Sequence, residues 1–283
     1  MTTTIPSIFI GHGSPMNTLE SNGYTLAWQK LGRSLPRPRG ILVVSAHWFI
    51  GATAVTAMQR PRTIHDFYGF PDELFAFDYP APGLPELAAE VVELAKPDWI
   101  GLDQSQWGLD HGTWSVLAHL YPDADVPVVQ LSLNALKPME YHIQLGARLA
   151  ALRDRGVLIL ASGNIVHNLR RIDWRSEGGE DWALRFDDAA ASAMKEKPGE
   201  VAALRDHPDF PAAVPTSEHF LPLLYIAGIA AASGEGALAL VRGCTLGTVS
   251  MSCYGVGMET VRCVDGSGAA GVPSDVPADQ TNL

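Results

Sequence analysis

The stretch ILVVSAHW, residues 41–48, sets the fold of this chain. Five of its first six residues are apolar, isoleucine and valine among them, the pattern of a strand buried on both faces. Pro36, Pro38 and Gly40 punctuate the chain just before it. The run stops at His47, followed by Trp48. In an open α/β sheet, ligands bind outside the carboxyl ends of the strands, so His47 stands where chemistry is usually placed. Two other apolar runs end the same way: SIFIG leads into His12, and VLILA, residues 157–161, leads through SGNIV into His167.

Working outward, Ser7–Gly11 reads as the first strand, and His12-Gly13-Ser14-Pro15 as a tight turn. A helix is expected within residues 24–31, and residues 53–58 (TAVTAM) alternate like a strand or hairpin arm. Residues 59–82 are irregular, with four prolines and six aromatics. This segment is either a pocket wall or a crossing loop whose aromatics anchor it on the core. Residues 84–95 have helical spacing, a helix should open at 115–120, and 126–133 (VPVVQLSL) is another buried strand. Residues 139–155 read as a long amphipathic helix that Gly156 would cap. With the strand at 157–161 they make a βαβ unit, so this part of the sheet should be parallel. Residues 173–210 look like a solvent-facing helical excursion. An apolar helix should begin around residues 215–219, N-capped by Thr216 or Ser217, and two last strands should lie at 237–241 and 250–256. The fold class is therefore α/β.

Composition narrows the functional classes. The 283 residues are 47% hydrophobic and 18% charged, which gives a globular protein with ample core. A net charge of −11 argues against nucleic acid and against anionic membrane surfaces. No stretch approaches the roughly 18 apolar residues that span a bilayer. The N-terminus lacks the basic region of a secretory signal. Cys244, Cys253 and Cys263 are odd in number and lack metal-site spacing. They read as reduced, buried thiols, and a cytoplasmic location is expected.

Nine histidines can be sorted by context. His65, His119, His142 and His207 have no strand end beside them and read as structural. His12, His47 and His167 each follow an apolar strand, His111 sits in the glycine-flanked turn Asp110-His111-Gly112, and His219 stands in the first turn of a helix. Neutral imidazoles meeting at one sheet rim suit a borderline divalent metal, zinc or iron(II). No local motif such as HExxH occurs, so the site would be assembled from distant segments.

Six segments carry a resemblance: GHGSPMN (11–17), VVSAHW (43–48), RPRTIHDFYGFP (60–71), WGLDHGTWSVL (107–117), SGNIVHNLR (162–170) and PTSEHFLPLLY (215–225). In this order they resemble the 4,5-DOPA extradiol dioxygenase (DODA) family, class III extradiol ring-cleavage dioxygenases. The resemblance implies one α/β catalytic domain over residues 1–265, with a mixed, largely parallel central sheet flanked by helices. Residues 266–283, small and polar, would be a poorly ordered tail. It further implies a non-haem metal on His12, His47 and His219, with His167 as acid–base residue or fourth ligand. Many enzymes of that class use two histidines and a carboxylate. Here Glu218 and His219, neighbours on one helix, would point about 100° apart, so only one should face the metal.

The resulting expectation is an extradiol dioxygenase acting with O₂ on a DOPA-like catechol. It needs Fe(II) for activity and should carry Zn(II) when isolated. His167 would be the base that removes and returns a proton. His111 would hydrogen-bond substrate or O₂. The protein should be a monomer or small homo-oligomer. A zinc hydrolase built on the same histidines is the alternative, needing Asp110 or Glu218 as its base. A non-catalytic binder with a structural metal is a third reading, disfavoured because the cysteines fall outside every histidine motif.

Overall fold

The structure, a computed structural model, describes residues 4–173, 175–258, 264–271 and 276–282. Its strands are β1 (Ser7–Gly11), β2 (Gly40–Ile50), β3 (Ala54–Thr56), β4 (Gly101–Asp103), β5 (Val128–Asn134), β6 (Val157–Gly163), β7 (Leu238–Arg242), β8 (Cys244–Thr245), β9 (Val249–Ser250), β10 (Cys253–Val256) and β11 (Val264–Asp265). Its helices are α1 (Gly23–Ser34), α2 (Asp72–Phe75), α3 (Pro85–Ala95), α4 (His111–Leu120), α5 (Met139–Leu149), α6 (Asp181–Glu196), α7 (Phe210–Ala213) and α8 (Leu221–Ser233).

One sheet of nine strands, in the order β11-β7-β10-β1-β6-β2-β5-β3-β4, organises the chain. Its centre, β1-β6-β2-β5, is parallel throughout, and β10 and β3 join it antiparallel. The fold is therefore the expected single α/β domain with a mixed, largely parallel sheet. Residues 53–58 are no hairpin arm, because β3 pairs between β5 and β4 instead. The βαβ unit forms as read, with β5 and β6 parallel on either side of β2.

Side-chain alternation along the central strands divides the core into two layers. Leu42, Val44, Ile159 and Ala161 face the layer that holds α3, α5, α6 and α8. Ile41, Val43, Leu158 and Leu160 face the layer that holds α1 and α4. Helix α8 is apolar on every side and is accordingly buried from Leu221 to Ala230.

Four local expectations need correction. The run at 139–155 is α-helical only to Leu149 and tightens into a 3₁₀ stretch, Ala150–Arg155, ended by Gly156 at φ 79°. Helix α6 is not a solvent-facing excursion, since Trp182, Phe186, Ala190 and Met194 bury one face against the sheet. Helix α4 starts at His111 rather than 115, because the Asp110 carboxylate accepts from the Thr113 amide at 3.1 Å and caps it. Helix α8 starts only at Leu221, with no side-chain cap from Thr216 or Ser217, so Glu218 and His219 belong to the turn before it.

Residues 59–82 settle mainly as an anchored loop. Phe67, Phe70, Tyr79 and Leu74 are buried in the α1/α4 layer, and Phe67 packs edge-on to Trp114 at 6.0 Å. In the C-terminal tail, residues 272–275 and 283 lie outside the described residues, and the described parts, 266–271 and 276–282, contact the rest of the chain. Ala270 is buried with its amide on Asn17 Oδ1, and Ala278 and Thr281 are buried farther along. Cys244 and Cys253 are buried as read, whereas Cys263 lies outside the described residues. Among the described residues, no helix is long and apolar enough to cross a membrane.

Candidate active site

The carboxyl rim of the parallel strands gathers five histidines. His12 follows β1 directly, and His167 follows β6 by four residues. His47 projects from β2 itself, where the pairing with β5 jumps from Val44 opposite Leu131 to Phe49 opposite Leu133. That irregularity gives β2 three extra residues and lets His47 leave the ladder. His111 opens α4, and His219 ends the turn before α8. Two glycines make this convergence possible. A Cβ on Gly112 would lie 2.6 Å from Ser45 Oγ and 2.8 Å from His47 Cδ2. One on Gly163 would lie 2.3 Å from the His219 carbonyl oxygen.

The rings are in mutual contact. His12 Nε2 and His47 Nε2 are 3.2 Å apart, and the centroids of His12 and His47 are 5.5 Å and 5.0 Å from that of His219. His111 packs on His47 at 3.8 Å, and His167 stacks on His219 at 3.6 Å. Burial, and after it the neighbouring imidazoles, holds His12 and His47 well below the usual histidine range, so both are neutral.

The outer nitrogens fix the tautomers. The Ser162 hydroxyl donates to the Gly112 carbonyl, so His12 Nδ1–H must donate to Ser162 Oγ at 2.9 Å. That leaves a lone pair on His12 Nε2. His47 Nδ1 faces the Asp66 carboxylate at 3.5 Å, and His219 Nδ1–H donates to Glu218 Oε1 at 3.3 Å. His12 and His219 are thereby left with Nε2 as an acceptor, and His47 is too when its proton sits on Nδ1, toward Asp66. In that tautomer of His47, two lone pairs face each other at 3.2 Å, and a third, on His219 Nε2, is buried without a partner. A divalent cation would satisfy inner nitrogens of this kind, and partners that orient the outer ring nitrogen are the usual support of metal-bound histidine. The donor set therefore fits a metal.

Two carboxylates stand beside the histidines: Asp66, which the sequence did not single out, and Glu218, which it offered only as a rival to His219 or as the base of a hydrolase. Asp66 comes from the irregular 59–82 loop and lies 3.0 Å from His111 Nδ1 as well as near His47. Burial pushes it up, but His111 pulls it below the usual carboxylate range. Glu218 corrects the helical expectation, since in a turn it and His219 can both face the cluster. Burial raises it, but hydrogen bonds from His219 and Thr216 hold it at about 2. The ligating atoms of His12, His47 and His111 lie within 4.8 Å of one another, as do those of His167, Glu218 and His219. The sequence signal for Asp66 was available in the motif TIHDFYGF, but nothing local tied it to a strand end.

A cleft of about 450 Å³ opens onto one side of the cluster and is lined by His47, His167, Glu218 and His219. His12 and His111 lie deeper and do not line it. The four histidines read as structural behave so. His119 sits on the Asn17 carbonyl, His142 on the Tyr225 hydroxyl, His65 on the Phe77 carbonyl, and His207 accepts from the Asp209 amide.

If Glu218 orients His219, Glu218→Ala should weaken metal binding by roughly 10–100-fold while leaving the fold intact. Competition against a chromogenic chelator measures this. Unchanged affinity would remove Glu218 from that role.

The profile of a family described as the catalytic LigB subunit of aromatic ring-opening dioxygenase matches residues 6–257. A 4,5-DOPA dioxygenase extradiol of Escherichia coli (strain K12) is 49% identical over 261 residues, covering 90% of this chain and 96% of that protein. Another of that name from Beta vulgaris is 36% identical over 241 residues, covering 82% and 89%. The crystal structure of an uncharacterized protein from Escherichia coli K12 superposes with a TM-score of 0.78 at 43% identity, covering 89% of this chain and 99% of that one.

Proposed function

This chain belongs to the family of catalytic LigB subunits of aromatic ring-opening dioxygenases, and from that premise we propose that it opens the ring of a DOPA-like catechol beside the diol, using Fe(II) on His12, His47 and His219. Enzymes of this family are non-haem, metal-dependent dioxygenases that take a small aromatic substrate and O₂. The observation that carries the ligand choice is that the outer nitrogens of His12 and His219 are bonded to Ser162 and Glu218, while His47 Nε2 lies 3.2 Å from His12 Nε2. His111 has no such arrangement. Its Nδ1 is 3.0 Å from Asp66 but not aligned for a hydrogen bond, and it lies behind His47.

When bound, the metal supplies positive charge that acidifies the catechol and, if it is iron, a route for electrons from the ring to O₂. The chain's own residues do the rest. The cleft admits the ring past Phe49 to His47 and His219. His167, lining the same cleft and stacked on His219, takes the catechol's proton and later returns it. His111, buried beside His47 and Phe67, is a donor toward the inner side of the site. Four of the five histidines are buried and the His47 side chain is 2% exposed, which limits the access of bulk water to the reacting diol.

The hydrolase alternative finds no support. Asp110, one of its two possible bases, is fully buried, accepts from Ser45 Oγ at 2.7 Å and also bonds to Gln130. Glu218, the other, is engaged by Thr216 and His219. The decisive test is ¹⁸O₂ turnover by protein loaded anaerobically with Fe(II). Both labelled atoms should appear in the ring-opened product, and a product carrying solvent oxygen at both positions would exclude the reading. We further propose a cytoplasmic enzyme acting as a monomer or small homo-oligomer.

The ligand assignment predicts that His12→Ala, His47→Ala and His219→Ala each abolish stoichiometric metal binding, whereas His111→Ala retains most of it. Metal content after dialysis decides. Retention in any of the first three, or loss in the fourth, would redraw the ligand set.

A further inference from the structure

The C-terminal segment 276–282 lies beyond the residues matched by the family profile, which end at 257. It nevertheless forms part of the cleft wall, through Asp279 and Asn282. It is pinned there by three contacts. The Tyr68 amide donates to the Thr281 carbonyl at 3.1 Å, the Asn282 side chain donates to the Asp66 carbonyl, and Ala278 and Thr281 are buried. Both hydrogen bonds fall on the loop that delivers Asp66 to the histidines, so this wall is tied to the metal site itself.

Across the cleft mouth stands Arg170, three residues after His167 and the one cation among the described residues that line the cleft. Its Nε is 3.9 Å from Asp279 Oδ2, yet the two side chains remain 81% and 46% exposed. A long, solvated contact of this kind contributes little by itself. It does leave one guanidinium and one carboxylate side by side at the entrance, matched in charge to a group carrying an anion and a cation on adjacent carbons.

We propose that Arg170 and Asp279 form a site for the amino-acid end of the substrate, Arg170 taking its carboxylate and Asp279 its ammonium. The C-terminal segment is thereby a specificity wall. The assignment rests on the catechol reading above, because only a diol seated at the histidines leaves its side chain at the mouth. Arg170 suits the carboxylate because its planar fork can donate two hydrogen bonds. Asp279 suits the ammonium because a carboxylate accepts from each of its N–H groups in turn.

The test is calorimetric binding to zinc-loaded protein, so that no turnover intervenes, with four catechols: DOPA, dopamine, 3,4-dihydroxyphenylpropionate and 4-methylcatechol. Asp279→Asn should lower the affinity of DOPA and dopamine relative to 4-methylcatechol by roughly 3–10-fold, and spare the propionate. Arg170→Gln should lower DOPA and the propionate by a similar factor, and spare dopamine. Both sites are exposed, so neither change threatens folding. An equal loss for all four catechols would make the pair merely structural and overturn the proposal. So would unchanged ratios, or no binding of any catechol. Iron-loaded protein that consumes no O₂ with any catechol would defeat the ring-opening reading instead, and leave the measured binding ratios intact.

Discussion

Loaded with zinc, the protein should leave DOPA intact, and the same protein reloaded with Fe(II) should open its ring. The donor set explains the difference. Three neutral imidazoles carry no strong preference between the two ions, and zinc stands above iron in the divalent affinity series. Protein purified in air is therefore expected to contain mostly zinc whatever its working metal. Zinc has no accessible redox change and cannot carry electrons from a bound catechol to O₂. The experiment strips the metal, reloads with Fe(II) under anaerobic conditions, admits O₂, and follows oxygen uptake and a new visible absorbance. Metal analysis of both samples fixes the stoichiometry. Fully iron-loaded protein that is inert toward DOPA, caffeate, protocatechuate and gallate would end the dioxygenase assignment for this chain.

The parts of this molecule that were legible from the sequence are those governed by short-range periodicity. Strands β1, β2 and β6 are apolar runs punctuated by glycine and proline, and burial on both faces leaves a run of that composition little other choice. The histidines at their ends were legible for the same reason, since a chain leaving a parallel strand emerges at one rim. What could not be read depended on contacts between distant segments. Asp66 reaches the site only because Phe67, Phe70 and Trp114 pack its loop onto the α1/α4 layer. Glu218 joins the cluster because the chain before α8 is a turn, and a helical wheel assumed there sent it elsewhere. Residues 276–282 are polar in composition and carry no local signal of contact, yet two buried side chains and two backbone-directed hydrogen bonds hold them at the cleft.

His167→Gln should slow ring opening by roughly 10²–10⁴-fold, the usual loss when a positioned acid–base group is removed. His167 stacks nearly parallel on His219, with an interplanar angle of 10°, and is only 7% exposed although it lines the cleft. Its backbone is held on both sides, the amide donating to the Ala213 carbonyl and the residue bridging to Val249. A group so fixed would need little reorganisation to take a proton from a diol bound in the cleft. Glutamine preserves polarity and much of the length but cannot accept and return a proton near neutral pH. The same variant separates two roles, because the ligating atoms of His167, Glu218 and His219 are close enough to share one ion. If His167 is a base, kcat falls while metal content and catechol affinity stay near those of the parent protein. If it is a fourth ligand, metal affinity falls in the same measurement, and added Fe(II) recovers part of the rate. An active, metal-replete His167→Gln protein would move the proton to His111, and the double variant would then be the inactive one.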